Sequence, residues 1–309
     1  MLTFQSEIPL APFTTFGIGG PAEYFVQVTT LPELIEALEY AEKNQFPVFV
    51  FSGGSNLLIA DRGIRGLVIR LSNTSARVHE QKILADAGAD LLSVVTLASE
   101  YGLAGIERLA GIPGSLGGAI RGNAGAFGME IGQVVRRVKF YDREQEKIRE
   151  FSQGECQFGY RTSYFKTHPA YVILSAELLL WPGVRHELQE INSDTIAARE
   201  AKHPQTARCA GSFFMNPVVK DQELQDEFFK DTGMPSKDGK LPAGWLIDHA
   251  GLRGKKIGGA QMSIQHPNYL INTGTATAED VVMLASIVKQ RVRTELDVLL
   301  REEVQYVGF

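Results

Sequence analysis

Residues 111–128 read GIPGSLGGAIRGNAGAFG, with seven glycines in eighteen positions. Glycine inside a regular element costs about 0.5–1 kcal/mol relative to alanine. A chain tolerates such density where the backbone must take a positive φ or touch a ligand closely. A second glycine loop, Ser52-Gly53-Gly54-Ser55-Asn56, follows the apolar run 47–51. Successive N–H groups in loops of this kind form concave nests that suit a pyrophosphate. The two loops therefore predict a large phosphate-bearing cofactor held mainly by backbone.

A chain of 309 residues suggests about two domains. Its 44% hydrophobic and 22% charged residues are ordinary for a globular enzyme. The formal net charge of −5 argues against a nucleic-acid partner, and anionic ligands would need a local basic pocket. The segment MLTFQSEIPLAPF lacks the charged-then-apolar pattern of a signal peptide. The most apolar stretch, 171–181, is too short to span a bilayer and is broken by Glu177. Cys156 and Cys209 stand alone, as free thiols in a reducing cytoplasm would.

Along the chain, 22–28 reads as a strand. Thr30 and Glu33 form a capping-box pattern before a helix with apolar Leu34, Leu38 and Ala41. Strands follow at 47–51 and 66–71, which makes an α/β unit. A second unit begins at 83–85, with Asp90 as N-cap of a helix over 91–101 that stops at Gly102. Strands are expected at 134–142 and 171–180, and a helix at about 184–202. The last third carries Gly211-Ser212-Phe213-Phe214-Met215-Asn216-Pro217, a solvated charged segment at 220–240, and the basic loop Arg253-Gly254-Lys255-Lys256. Thr277 caps a helix with Val281, Leu284, Val288 and Val292, and 298–307 is strand-like.

Gly17-Ile18-Gly19-Gly20-Pro21-Ala22 fits the dinucleotide pattern GxGxxA but lacks its context. No strand precedes it, and Pro21 sits where a helix should begin, so the pattern reads as a tight loop. Phosphate-loop, HExxH, EF-hand, paired CxxC and GxSxG motifs are absent, and six scattered histidines imply no metal site. By spacing alone Ser212 is a loop or cap residue, Arg161 a surface ion-pair residue, and Lys202 and Glu303 solvated side chains.

Taken in order, the motifs resemble one enzyme family. They are Thr15-Phe16-Gly17-Ile18-Gly19-Gly20, Gly53-Gly54-Ser55-Asn56-Leu57-Leu58, the 111–128 segment, Tyr160-Arg161-Thr162-Ser163, the 211–217 segment, Ala243-Gly244-Trp245-Leu246-Ile247-Asp248 and Glu302-Glu303-Val304. The chain resembles the UDP-N-acetylenolpyruvoylglucosamine reductases from about residue 13 to its end. That resemblance implies an α+β protein with an FAD-binding fold of the vanillyl-alcohol oxidase type, made of two α+β subdomains, and a separate α/β substrate-binding domain. The implied boundaries are 1–75, 76–196 and 197–299, with 300–309 packing back on the second subdomain.

The resemblance also implies the chemistry. NADPH reduces the FAD, and the reduced flavin N5 passes hydride to C3 of the enolpyruvyl group of a UDP-sugar, in peptidoglycan precursor synthesis. The family's proton donor falls on Ser212, and its arginine and glutamate on Arg161 and Glu303. Cofactor contacts fall on Gly53, Gly54, Ser55, Asn56, Leu57, Gly111, Pro113, Gly114, Ser115, Gly117, Gly118, Asn123 and Gly125. Substrate contacts fall on Lys202 and Asn216. The partners implied are the UDP-sugar and NADPH, for a monomeric, cytoplasmic enzyme without metal, nucleic acid or membrane insertion.

This chain resembles the shorter subgroup of the family. The strand 171–180 follows Phe165-Lys166 with no inserted, tyrosine-bearing loop, and His266 stands where other members carry glutamine. Two other readings fit parts of the pattern. A flavin oxidase of the same fold class would explain the glycine loops but not the 211–217 segment or the C-terminal glutamate. A non-catalytic nucleotide-binding protein would bind ligand without consuming NADPH.

Overall fold

Thr30 begins the first helix as its residue pattern demands. Its hydroxyl accepts from the Glu33 N–H, and the Glu33 carboxylate accepts from the Thr30 N–H, over a helix at Leu31–Lys43. The apolar face Leu34, Ala37, Leu38 and Ala41 is buried. It joins one core with Val26, Val28, Leu67 and Ile69 of a four-stranded sheet. The sheet order is Gln5–Pro9, Pro21–Val28, Ile64–Leu71, Val48–Phe51, and the last two strands are parallel. The computed structural model describes residues 2–202 and 206–309.

A second sheet is wholly antiparallel, in the order Lys147–Ser152, Val135–Asp142, Tyr171–Leu179, Lys82–Asp86, Ala76–His79. Asp90 caps the helix Leu91–Glu100 through a 2.8 Å bond to Ser93 N, and Gly102 follows at φ +64°. The glycine-rich segment holds an unexpected helix, Leu116–Gly122. Interior glycines disfavour a helix by about 1 kcal/mol each. Burial of Leu116, Ala119 and Ile120 in the core of the second sheet offsets that cost.

The chain divides into two compact units. The first comprises 1–8, 22–54 and 65–199, and holds both of these sheets. The second comprises 9–21, 55–64 and 200–309. It contains an antiparallel sheet, Arg208–Ser212, Tyr269–Asn272, Ala260–Met262, Lys256–Ile257, and a parallel pair, Leu57–Ile59 with Gln305–Val307. The C-terminal strand Gln305–Val307 thus pairs with a strand of the second unit. Strand geometry covers only Gln305–Val307 of the expected 298–307 run. The charged 220–240 segment forms the helix Gln222–Thr232, with Leu224 and Phe228 buried. Helix Ala278–Leu296 buries Val281, Leu284, Val288 and Val292, and Asp61 accepts from its first N–H groups, at Ala278 and Glu279.

Gly17–Ala22 does not have dinucleotide-binding context, because Pro21 opens a strand and no helix follows. The loop is instead fixed within the second unit. The Thr15 hydroxyl donates to Cys209 O at 2.7 Å, and Asn272 Nδ2 donates to Phe16 O at 3.1 Å. Among the described residues, no helix is long and apolar enough to cross a membrane.

Candidate active site

In the first unit the two glycine loops meet backbone to backbone. A Cβ added at Gly53 would lie 3.0 Å from Gly114 Cα and 3.1 Å from Ser115 N. Ser115 is the N-cap of helix Leu116–Gly122, its hydroxyl accepting from Gly118 N at 3.3 Å. Among the described residues, the N–H groups of Gly53, Gly54, Gly114 and Ser115 make no hydrogen bond to protein. Gly54 and Ser115 are buried. Buried backbone donors require an acceptor, and these two, with the N–H groups of Gly53 and Gly114 beside them, suit the oxygens of a pyrophosphate.

The other glycine-segment positions have protein partners. Gly117 N donates to Ala87 O at 2.8 Å, and a Cβ there would lie 2.8 Å from the Ala87 Cβ. Gly117 therefore lets the helix approach the Ala87 backbone closely. Gly111 O accepts from Arg199 Nε at 3.1 Å, while Pro113 is exposed. Asn123 is 1% exposed and ends the helix at φ +46°. Its amide donates to Glu130 Oε2 at 2.7 Å and Gly159 O at 2.9 Å, and accepts from Gly132 N at 3.0 Å. Both of its amide hydrogens are thus committed to protein.

Those bonds carry over to Arg161. Gly159 and Thr162 exchange two 3.1 Å backbone bonds, and Tyr160 and Arg161 form the tip of the turn. Arg161 takes φ +55°, an uncommon backbone state for a residue with a side chain. Three bonds pin the turn to the glycine segment. Asn123 holds Gly159 O, Arg161 Nη2 donates to Gly125 O at 3.0 Å, and the Ser163 hydroxyl donates to Arg121 O at 2.8 Å. Lys166 Nζ donates to Arg161 O at 2.8 Å, and the guanidinium lies 5.4 Å from the Tyr160 ring centre. The glycine segment and the Arg161 turn form one hydrogen-bonded structure, with the cation half-buried.

The second unit brings Ser212 and Glu303 together. The strand Arg208–Ser212 runs in register with Tyr269–Asn272 through Arg208↔Asn272 and Cys209↔Ile271, then shifts by one residue to Ser212↔Tyr269. Gly211, at φ +77°, supplies the bulge. A bulge re-aims the following side chain. Phe213 and Phe214, each 1% exposed, then anchor the segment in the core. Each contributes roughly 1.5–3 kcal/mol by burial, more than the ~1–2 kcal/mol needed to order one residue's backbone. Glu303 N donates to Phe213 O at 2.8 Å, and Met215 N donates to Arg301 O at 2.9 Å. Ser212 is half-buried, and among the described residues its hydroxyl has no hydrogen-bond partner.

Asn56 also has a protein partner. Its amide donates to Glu303 O at 3.1 Å, and its own carbonyl accepts from Gln305 N at 3.0 Å. Leu57, the next residue, is buried in the parallel pair with Gln305. Asn216 Oδ1 accepts from Ala243 N at 2.9 Å at the start of helix Ala243–His249. Lys202 is exposed at the end of helix Arg185–Lys202. Gln265 caps the preceding Glu200 and Ala201 carbonyls at 3.1 and 3.2 Å, which brings Lys202 to the loop before Tyr269. Asp248 grips Arg253 with two bonds of 2.7 and 2.6 Å, and this pairing keeps the Asp248 carboxyl below its usual pKa.

Sequence reasoning missed Asn268, a 3% exposed asparagine that clamps Phe213 and Phe214. Its only signal is an amide residue next to Pro267 at the head of an apolar run.

Residues 22–152 match the FAD binding domain family, and residues 203–307 match the C-terminal domain family of UDP-N-acetylenolpyruvoylglucosamine reductase. A UDP-N-acetylenolpyruvoylglucosamine reductase of Solibacter usitatus is 36% identical over 307 residues, covering 99% of this chain and 97% of the relative. One from Syntrophus aciditrophicus is 36% identical, covering 97% of this chain and 90% of the relative. The crystal structure of the reductase from Thermus caldophilus superposes with a TM-score of 0.80 at 30% identity, covering all of both chains. At these identities over nearly the full length, the chain belongs to the UDP-N-acetylenolpyruvoylglucosamine reductase family.

Proposed function

We propose that this enzyme reduces UDP-N-acetylglucosamine enolpyruvate to UDP-N-acetylmuramate with NADPH, using Ser212, Arg161 and Glu303 as its reacting groups. The observation that carries the reading is the 2.8 Å bond from Glu303 N to Phe213 O, which holds the glutamate beside the serine segment. FAD fits the first unit, where Gly53, Gly54, Gly114 and Ser115 would hold its pyrophosphate. When bound, it supplies the hydride chemistry that no side chain can perform.

The side chains do the rest. Arg161 offers a fixed cation to the substrate carboxylate, which gains charge as the neighbouring double bond is reduced. A cation aimed at developing charge lowers the barrier without reorganisation. Ser212 donates its hydroxyl proton to C2. A serine is a weak acid, but the carbon it protonates is strongly basic. Glu303 stabilises the enol-like form together with Arg161. Lys202 pairs with the diphosphate, and the Asn216 amide contacts the sugar nucleotide.

We also infer a monomeric, cytoplasmic enzyme without a nucleic-acid partner. The net charge of −5 supports the absence of a nucleic-acid partner, and two buried free cysteines support the cytoplasmic setting. The test is a visible spectrum of the purified protein, followed by NADPH addition. A flavin spectrum that bleaches with NADPH and recovers anaerobically on adding the enolpyruvyl UDP-sugar supports the reductase. Recovery only with oxygen indicates an oxidase.

A further inference from the structure

Asn268 lies outside every group named so far for the reaction, yet it contacts the Ser212 segment on three atoms. Phe213 N donates to Asn268 O at 2.7 Å. Phe214 N donates to Asn268 Oδ1 at 3.0 Å, and Asn268 Nδ2 donates to Phe214 O at 2.8 Å. The side-chain amide thus pairs with Phe214 as a peptide group would. The residue before it in the chain, Pro267, has no N–H to offer. The strand pairing that ends at Ser212↔Tyr269 is prolonged by a side chain through the two residues after the serine.

The opposite edge of the segment is held by Glu303 N on Phe213 O and Arg301 O on Met215 N. With Asn268 on one side and 301–303 on the other, little freedom is left at Ser212. The Asn268 amide is buried with both Phe214 bonds satisfied, so its removal would leave that peptide unpaired.

We propose that Asn268 is a positioning residue that fixes the Ser212 hydroxyl for proton delivery, by clamping the Phe213-Phe214 backbone against the Glu303 strand. This rests on Ser212 being the proton donor. A displacement of about 1 Å at a reacting group costs about 100-fold in rate, so loss of the clamp should appear in the substrate step alone.

The experiment uses stopped-flow on flavin-loaded enzyme, with NADPH reduction and substrate-driven reoxidation followed separately. Asn268→Ala should bind flavin and bleach at the wild-type rate, then reoxidise about 10–100-fold more slowly. Added to Ser212→Ala, it should slow reoxidation no further, because the two act through one hydroxyl. Asn268→Asp should regain reoxidation rate as the pH falls, because a protonated carboxyl restores both the acceptor and the donor for Phe214. An equal slowing by Asn268→Ala in the wild-type and Ser212→Ala backgrounds overturns the proposal while leaving Ser212 as donor. Wild-type reoxidation by Asn268→Ala does the same. Loss of flavin in both Asn268 variants also overturns it, by making the residue a general support of the fold. Normal reoxidation by Ser212→Ala alone overturns the proton-donor reading, and this inference with it.

Discussion

Glu303 donates its backbone N–H to the carbonyl oxygen of Phe213 at 2.8 Å, and its own carbonyl accepts from the Asn56 amide at 3.1 Å. The peptide on each side of the glutamate is therefore fixed. One fixed partner carries Ser212 as its neighbour, and the other opens the strand Leu57–Ile59. Asn56 and Glu303 lie 247 positions apart in sequence, yet these bonds join them with Phe213, the residue after Ser212, in one framework.

The bulge before Ser212 is the first test of that framework. Gly211 has open space where a Cβ would project, so its φ of +77° is the only obstacle to a side chain. Gly211→Ala should cost about 1–2 kcal/mol in urea-unfolding stability. It should also slow the substrate step more than flavin reduction, since the bulge aims Ser212. Unchanged stability and an unchanged substrate step would remove the bulge from the account.

The junction of the glycine loops gives the second. A methyl at Gly53 would meet backbone atoms of Gly114 and Ser115, which cannot rotate away. Gly53→Ala should push the loops apart and weaken FAD binding about tenfold, or about 1.4 kcal/mol. Flavin titration of the apoprotein measures this. An unaltered dissociation constant would place the pyrophosphate elsewhere.

Much of this was legible in the residues, and the reasons divide cleanly. The Thr30 and Thr277 capping boxes and the Asp90 cap depend on neighbours three residues apart, so pattern alone locates them. The glycine loops reveal their purpose through cost, because such density needs a ligand or a close approach. The helix Leu116–Gly122 was hidden for the same reason. Its glycines argue against a helix, and burial of Leu116, Ala119 and Ile120 with the close packing of Gly117 on Ala87 explains it. Asn268 was legible as a polar residue and nothing more, and Asn123 only as a cofactor contact implied by resemblance. Their work lies in bonds to residues far along the chain, which no spacing encodes. Ser212, Arg161 and Glu303 came from resemblance, and by spacing alone they read as ordinary surface residues.

Asn123 is the strongest stability prediction. Asn123→Ala would leave the buried Gly132 N unpaired, and it would remove one of the two bonds to Gly159 O, whose other donor is Thr162 N, loosening the Arg161 turn. We expect a loss of about 1–3 kcal/mol, with a rise in substrate KM in the enzyme that remains folded. A loss below about 0.5 kcal/mol would show that water replaces the amide freely.

His266 sets a pH dependence. Burial, with a contribution from the Arg253 charge, holds its pKa below the ordinary histidine value. The unfolded chain takes up a proton as pH falls through about 6.5, while the folded imidazole stays neutral to a lower pH. Protonation thus favours the unfolded state, and stability should fall as pH drops below about 6.5. The neutral ring also accepts from Asn268 N at 3.3 Å, which a protonated ring cannot do. His266→Gln should flatten this acid arm of the thermal-midpoint profile. An equally steep arm in the variant would assign it to other groups.

Ser212→Ala, followed through both half-reactions, tests the central claim most directly. The variant should retain FAD and bleach with NADPH at a rate close to wild type, because hydride uptake needs no proton from this hydroxyl. Reoxidation by the enolpyruvyl UDP-sugar should then fall by about 10²–10⁴-fold, the usual worth of a general acid. Reoxidation at the wild-type rate would contradict the account and give the proton to another group. Equal slowing of both half-reactions would contradict it too, and make Ser212 a structural residue.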